Sequence, residues 1–213
     1  MEKIKQDRAF LEEIDENYYI LKTIAERPTD IQQYIEIENY SMAYSLYAEA
    51  QTWKSSPSKV IQQVVAKCEK VINDLEKMLY DKFLHEIPLI SAIEYVGILR
   101  KIDNSDISLK YLRMKHKYLR QSLQGINFTE TEYFHTSRRI IFDTITQYES
   151  LFGHNYEITD FILKFLTEFE KEFLKHKDQS SDLDSLCSSA TMFTQSLAKL
   201  GYDFTAVLNS MKG

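Results

Sequence analysis

Glycine and proline are scarce in this sequence. Among its 213 residues there are only five glycines and three prolines. A sheet protein with many turns would need more of both, so their scarcity argues against strands and for long helices joined by short loops. Hydrophobic residues make up 44% of the chain and charged residues 27%, which is ordinary for a globular protein.

Cysteine and long hydrophobic runs are also lacking. Cys68 and Cys187 lie far apart with no CxxC spacing, which suits free thiols in a reducing cytosol better than a disulfide framework. No apolar run approaches the roughly 20 residues that span a bilayer. The start MEKIKQDR has no hydrophobic signal core. We therefore expect a cytosolic protein or one peripheral to a membrane.

Positive charge is not in excess either. The chain carries 26 Lys and Arg against 32 Asp and Glu, a formal net charge of −6. Because nucleic-acid binding depends on neutralising phosphates with basic side chains, this balance gives no general attraction to DNA or RNA. We expect no nucleic-acid partner.

Helical periodicity is what the sequence does contain. Apolar residues recur at spacings of three, four and seven, which predicts about nine helical segments and no convincing strand. We expect the first, heptad-like helix to end at Arg27, because Pro28 disfavours its continuation. The prediction is an all-α fold of helical hairpins, with an N-terminal amphipathic helix over 1–27, a first bundle over 28–125 and a second over 126–213.

The helix with the clearest start begins near Thr129. Glu132 follows three residues later, which is the spacing of a capping box. Along this helix one apolar stripe predicts that Phe142, Ile145 and Tyr148 are buried between neighbouring helices. On that interpretation Phe142→Ala would cost about 3–5 kcal/mol.

Two other segments are expected to contribute to the core. The nearly all-apolar helix that contains Ile90 and Ile93 should be central. Tyr44 and Tyr47 lie at helical spacing, which favours core over an exposed anchor for a partner, and Tyr40 is left open.

Two groups of residues have spacings that could serve chemistry. Glu132-x-x-His135 matches one half of a di-iron site in a helical bundle. The sequence has no second Glu-x-x-His, so we favour an ordinary helix start. Glu168, Glu172 and His176 share a helix face, which we interpret as surface pairing. No phosphate loop, nucleophile elbow or HExxH motif is present, and we assign no catalytic residue, metal or cofactor.

A basic stripe is the candidate for recognition. It consists of Lys110, Arg113, Lys117 and Arg120 on one face of a predicted helix, with Lys115 beside them. A stripe of this kind could meet an anionic membrane surface or an acidic partner helix. The ordinary alternative, which we favour, is a solvated helix face. The four residues are kept as a candidate patch for a partner or a membrane.

Residues 137–152 read SRRIIFDTITQYESLF. This segment resembles the family of subunit eight of the conserved oligomeric Golgi (COG) complex, which has a similar SR followed by FD-IITQY. The agreement continues in the same order in the hairpin helix led by Tyr40, in IEYVGILRKI over 93–102, and in the ending LDSLCSSATMFTQSLAKLGYDFTAVL over 183–208. Members of that family are considerably longer, so the chain is expected to be a middle segment.

The resemblance implies an elongated rod of stacked antiparallel helical hairpins without enzymatic activity or cofactor. Such a subunit helps to join the lobes of its complex, which captures vesicles that recycle enzymes within the Golgi. The expected partners are other COG complex subunits, above all subunits 1 and 7, with SNAREs and Rab GTPases. The expected location is peripheral, on the cytoplasmic face of the Golgi membrane. Two alternatives stay open: a subunit of another helical-rod tethering complex, and a helical-bundle metalloenzyme.

Overall fold

The computed structural model describes residues 2–103, 105–128, 130–177, 183–203 and 206. Within its helices, only the backbone is described for residues 2–17, 131, 176–177 and 183–186.

Helices supply all the regular structure in those ranges. They comprise eight α-helices and one short 3-10 helix, and no strand occurs in the part of the chain just defined. In chain order they are α1 (Glu2–Glu36), α2 (Tyr40–Gln51), the 3-10 helix (Thr52–Ser55), α3 (Lys59–Lys82), α4 (Leu89–Ile102), α5 (Ile107–Leu123), α6 (Thr131–Phe152), α7 (Tyr156–Lys177) and α8 (Leu183–Lys199). The all-α prediction is confirmed.

Packing divides the chain into two compact units. The first comprises residues 1–79 and 97–104, and the second comprises residues 80–96 and 105–213. Within the second unit α5 packs against α6 and α7. The sequence predicts two helical bundles that meet between residues 125 and 126. These bundles are predicted folding domains, and their boundary stays a prediction.

The first helix does not stop at the proline. α1 extends to Glu36 with Pro28 inside it. Proline removes one backbone hydrogen bond and crowds the preceding turn. However, Ile31 and Ile35 beyond it are buried, and α1 packs against α2 as a helical hairpin. The prediction that the helix ends at Arg27 is therefore wrong, because packing on α2 offsets a local cost.

Two of the three α2 tyrosines are less buried than predicted. Tyr40, which the sequence left open, is buried. Tyr44 and Tyr47 are only partly buried, and the Tyr44 hydroxyl donates to the carbonyl of Lys101 at 2.9 Å. The two residues therefore lie at the edge of the first unit's core, where a phenol can reach a polar partner.

Helix α4 is not central over its first half. Val96 and Leu99 are buried, but Ile90 is 77% exposed and Ile93 51% exposed. Because nearly every position of this helix is apolar, its composition could not indicate which face packs. The prediction is wrong for Ile90 and Ile93.

Helix α6 confirms two of its three predicted core positions. Ile145 and Tyr148 are fully buried, whereas Phe142 is partly exposed, so the prediction is wrong for Phe142. The N-cap residue is Glu130, whose side chain makes no capping hydrogen bond. The predicted capping box falls on Thr129, which lies outside the described residues.

Aromatic side chains fill the core of the second unit. The rings of Phe83 and Tyr111 meet edge to face with centroids 4.9 Å apart. Helix α7 contributes a row of buried apolar residues, as its periodicity predicts: Phe161, Phe165, Leu166, Phe169 and Phe173. Aromatic rings in contact prefer defined relative orientations, in addition to burying apolar surface. These contacts therefore fix the positions of α5, α6 and α7 relative to one another.

Candidate interaction surface

The basic stripe lies on the surface of α5. Arg113, Lys117 and Arg120 are exposed, and Lys110 is partly exposed. The ammonium of Lys110 lies 5.2 Å from the centre of the Tyr80 ring, within the range of a cation–π interaction. The stripe is therefore accessible, although the charge of Lys110 already has an internal contact.

Arg120 is also engaged within the second unit. Its guanidinium donates to the carboxylate of Glu168 on α7. The same carboxylate lies 3.5 Å from Nε2 of His116. An exposed ion pair of this kind contributes at most about 1 kcal/mol to stability. Its main effect is that Arg120 brings less free charge to the stripe than the sequence suggests.

Lys115 does not belong to the exposed stripe. It is 4% exposed, and its ammonium donates to the carbonyl of His85 at 3.2 Å. The ammonium also lies 5.7 Å from the ring centre of Tyr111 and 5.6 Å from that of Tyr118. Burial lowers the pKa of Lys115 to about 8, although nearby carboxylates oppose the shift. Its predicted place beside the stripe is wrong.

The loop between α3 and α4 is fastened by α5 and α6. Three consecutive loop residues each accept a hydrogen bond: His85 from Lys115, Glu86 from Arg139, and Ile87 from Gln147. No spacing in the sequence predicts this set, and the one signal that points to it is the segment FDTITQY, which contains Gln147. The loop is held by side chains that are far from it in sequence.

Gln147 connects this loop to the core. Its amide nitrogen donates to the carbonyl of Ile87 at 2.8 Å, and its amide oxygen accepts from the Tyr111 hydroxyl at 3.0 Å. Burial raises the pKa of Tyr111, and the charge of Asp143 adds to the shift, so the hydroxyl keeps its proton as a donor. The nitrogen and the oxygen of the Gln147 amide therefore both make hydrogen bonds within the protein.

Tyr148 fixes the start of α7. Its hydroxyl lies 3.0 Å from the side-chain oxygen of Asn155 and 2.7 Å from the carboxylate of Glu157. The same Asn155 oxygen accepts from the backbone N–H groups of Glu157 and Ile158, as an N-cap residue does. Burial raises the pKa of Tyr148 to about 12, and the hydrogen bond to Glu157 adds to the shift. This tyrosine positions two helices and offers nothing to solvent.

A third tyrosine secures the end of α8. Tyr202 is buried, and its hydroxyl donates to the carboxylate of Glu149 at 2.7 Å. The hydroxyl also lies 3.1 Å from Nδ1 of His154, in the turn between α6 and α7. Burial and the Glu149 carboxylate raise the pKa of Tyr202. The contact ties Tyr202, three residues beyond the end of α8, to that turn.

Among the side chains that the structure describes, the other groups singled out for chemistry form no metal site. Glu132 and His135 are exposed. Across the residues whose positions are described, no group of three or more His, Cys, Asp or Glu side chains could hold a metal ion. Glu168 and Glu172 each pair with a nearby base, and the side chain of His176 lies outside the described residues.

Among the helices that the structure describes, none combines the length and the apolar character that a bilayer span requires.

A groove of about 1030 Å³ lies beside the basic stripe. It is bounded by the C-terminal half of α5, the segment around Phe128 and the C-terminal half of α7, and we call it the α5–α7 groove. Lys117 and Arg120 of the stripe line it. Exposed cations on one helix thus border a concave surface that two further elements complete.

Comparison with known proteins gives a consistent result. The sequence pattern that defines the Dor1-like family matches residues 2–211. The chain is 24% identical over 236 aligned positions to the conserved oligomeric Golgi complex subunit 8 of Homo sapiens, covering 92% of this chain and 38% of that protein. It is 21% identical over 228 positions to the subunit of the same name from Dictyostelium discoideum, covering 96% of this chain and 29% of the relative. The chain thus spans about a third of the length of these relatives.

Proposed function

Because the chain belongs to the Dor1-like family, we propose that it is a structural part of a subunit of a Golgi vesicle-tethering complex. The match over residues 2–211 carries the proposal, and the two relatives named as COG complex subunit 8 support it. In this role the protein is a non-enzymatic scaffold for retrograde transport within the Golgi. It associates peripherally with the cytoplasmic face of the membrane.

The partners follow from the same proposal. The protein binds other subunits of the complex, with COG subunits 1 and 7 as the first candidates, and through the complex it meets SNAREs and Rab GTPases. Large interfaces between helical proteins gain affinity from apolar anchors, while charges set orientation and association rate. The basic stripe is the proposed contact for a partner or for anionic lipid.

The hydrogen bonds inside the second unit support a scaffold role. Gln147 and Tyr148 belong to the segment that resembles the family, and both use their polar groups to fix loops and helix starts. Residues engaged in this way maintain the positions of helices and leave partner binding to the exposed faces. A fold maintained in this manner presents fixed surfaces to several partners at once.

Tagging the protein at its own chromosomal locus tests the proposal. Purification under mild conditions followed by quantitative mass spectrometry should recover the other COG subunits in comparable amounts, and depletion of the protein should displace resident enzymes from the Golgi. Recovery of a different tethering complex, or of no tethering subunit, would contradict the proposal. So would stoichiometric iron or zinc in the purified protein, since the scaffold role requires no metal.

A further inference from the structure

The α5–α7 groove has an aromatic floor. Phe128, Phe165 and Phe169 line it, and each is 5% exposed or less. The centroids of Phe128 and Phe169 are 5.3 Å apart, and those of Phe165 and Phe169 are 6.1 Å apart. Because these rings pack on one another and into the core, the shape of the floor does not depend on a single mobile side chain.

The walls of the groove are charged. They carry six ionisable side chains from α5 and α7: Lys117, Arg120, Glu168, Lys171, Glu172 and Lys175. Four cations against two carboxylates give the walls a net charge of +2, although the whole chain carries −6. The groove is therefore locally basic on an acidic protein.

Both carboxylates are already paired. Glu168 binds Arg120, and Glu172 binds a lysine one turn further along α7 at 2.5 Å. Lys117 on α5 and Lys171 on α7 are exposed, and no ion pair joins either of them to another residue in the described ranges. One uncompensated cation thus lies on each wall, with apolar surface between them.

We propose that the α5–α7 groove docks an amphipathic helix of a partner subunit, with acidic side chains beside Lys117 and Lys171. Its apolar side chains contact Leu123 and Ile126, which line the groove with the phenylalanines and are partly exposed. Helices that bind in grooves present apolar residues at spacings of three and four on one face, and this groove offers the complementary arrangement. The inference rests on the proposed function for the existence of partner subunits and adds the site and the chemistry of one of them.

A membrane surface fits this groove less well. An anionic bilayer would satisfy Lys117 and Lys171, but a flat surface does not reach a concave floor lined with phenylalanine. A row of apolar side chains between two rows of carboxylates satisfies both the floor and the walls.

Site-specific photo-cross-linking in cells tests the inference. Gln121 is exposed and lines the groove, so a benzoylphenylalanine placed there in the full protein reports what occupies it. The matched control carries the same probe at Gln63, an exposed glutamine on α3. The probe at Gln121 should cross-link to a segment of another protein with apolar residues at helical spacing and flanking acidic residues. The probe at Gln63 should not reach that segment.

Charge reversal adds a second readout. Lys117→Glu with Lys171→Glu should lower the yield of that cross-link at least fivefold, and the neutral pair Lys117→Gln with Lys171→Gln should lower it less. Lys67→Glu with Lys70→Glu, which reverses two exposed lysines on α3, should leave the yield unchanged. Unchanged thermal unfolding of each variant confirms that folding is intact.

Several results would overturn the inference. One is a cross-link from Gln121 only to lipid, to a second copy of the chain or to a basic segment. Another is a cross-linking yield at Gln121 no higher than at Gln63. A third is a yield at Gln121 that charge reversal does not change. The test also separates this inference from the proposed function. An acidic amphipathic helix from a protein outside the tethering complex would support the docking site and contradict the function. A tethering subunit captured through another kind of segment would do the reverse.

Discussion

Replacing Gln147 with leucine should destabilise the protein by about 2–4 kcal/mol. The substitution removes an acceptor from the Tyr111 hydroxyl and a donor from the carbonyl of Ile87. A buried polar group left without a partner costs about 1–3 kcal/mol. Tyr111 is fully buried and should approach the upper value, whereas Ile87 is partly exposed and should lie near the lower one. Leucine keeps most of the side-chain volume, so little cavity cost is added.

Urea unfolding followed by circular dichroism measures the effect. The midpoint should fall while the dependence on urea concentration is unchanged, because the surface exposed on unfolding stays the same. The control is Thr146→Ala, an exposed neighbour on α6, which should change the free energy of unfolding by less than about 0.5 kcal/mol. Hydrogen exchange should show the loss of protection concentrated in the loop over residues 83–88.

A double-mutant cycle identifies the bond that is responsible. Tyr111→Phe alone should cost about 1 kcal/mol, and the double variant with Gln147→Leu should cost less than the two single changes added together, since both remove the same hydrogen bond. Strictly additive effects, or a loss below about 0.5 kcal/mol for Gln147→Leu, would refute the reasoning that Gln147 fastens the loop to the core.

Three further outcomes are expected. The pKa of Lys115 is lowered to about 8 from 10.5, so between these values the unfolded chain binds the extra proton and stability rises with pH, by about 2 kcal/mol up to pH 9.5. The free energy of unfolding of Lys115→Met, measured in urea from pH 7 to 9.5, should lack that rise. A rise equal to that of the unchanged protein would contradict the assignment of the pH dependence to Lys115. In denaturant unfolding, Phe142→Ala should lower the free energy of unfolding by about 1–2 kcal/mol. Ile141 is fully buried, so Ile141→Ala should lower it by about 2–5 kcal/mol. Equal losses would mean that Phe142 is a core residue. Tyr202→Phe removes a hydrogen bond to Glu149 and should lower Tm by about 2–4 °C in a calorimeter, whereas an unchanged Tm would mean the contact does not hold the end of α8.

Helix ends were predictable where a backbone conformation decides them. Gly125 and Gly153 follow α5 and α6 with φ of 87° and 77°, a region that glycine occupies without steric cost. The end expected at Arg27 was wrong because the cost of Pro28 is local. Packing of α1 on α2 buries the residues beyond the proline and offsets this cost, and a local sequence pattern cannot predict that packing.

Core positions were predictable on strongly amphipathic helices only. Ile145 and Tyr148 lie in the middle of the α6 stripe and are buried, while Phe142 lies at its margin and is partly exposed. Ile90 and Ile93 are exposed and belong to α4, which is apolar on nearly all sides. Periodicity therefore cannot show which side of this helix packs against the core.

The exposed position of the basic stripe could be predicted, while its role as a contact stays a prediction. The spacing of the basic stripe places its residues on one helix face, and this can be read directly from the chain. The burial of Lys115 could not be predicted, because a charge pattern does not reveal which lysine meets the core. The α5–α7 groove was also missed, since Lys117 and Lys171 are far apart in sequence and only the packing of α5 on α7 makes them walls of one groove.

The most direct test of the scaffold role is reconstitution. The protein is co-expressed with COG subunits 1 and 7, and the mixture is analysed by size-exclusion chromatography with multi-angle light scattering. We predict a single complex that contains the protein in equimolar amount. Elution of the protein alone, while subunits 1 and 7 are well folded and recovered without it, would contradict the account.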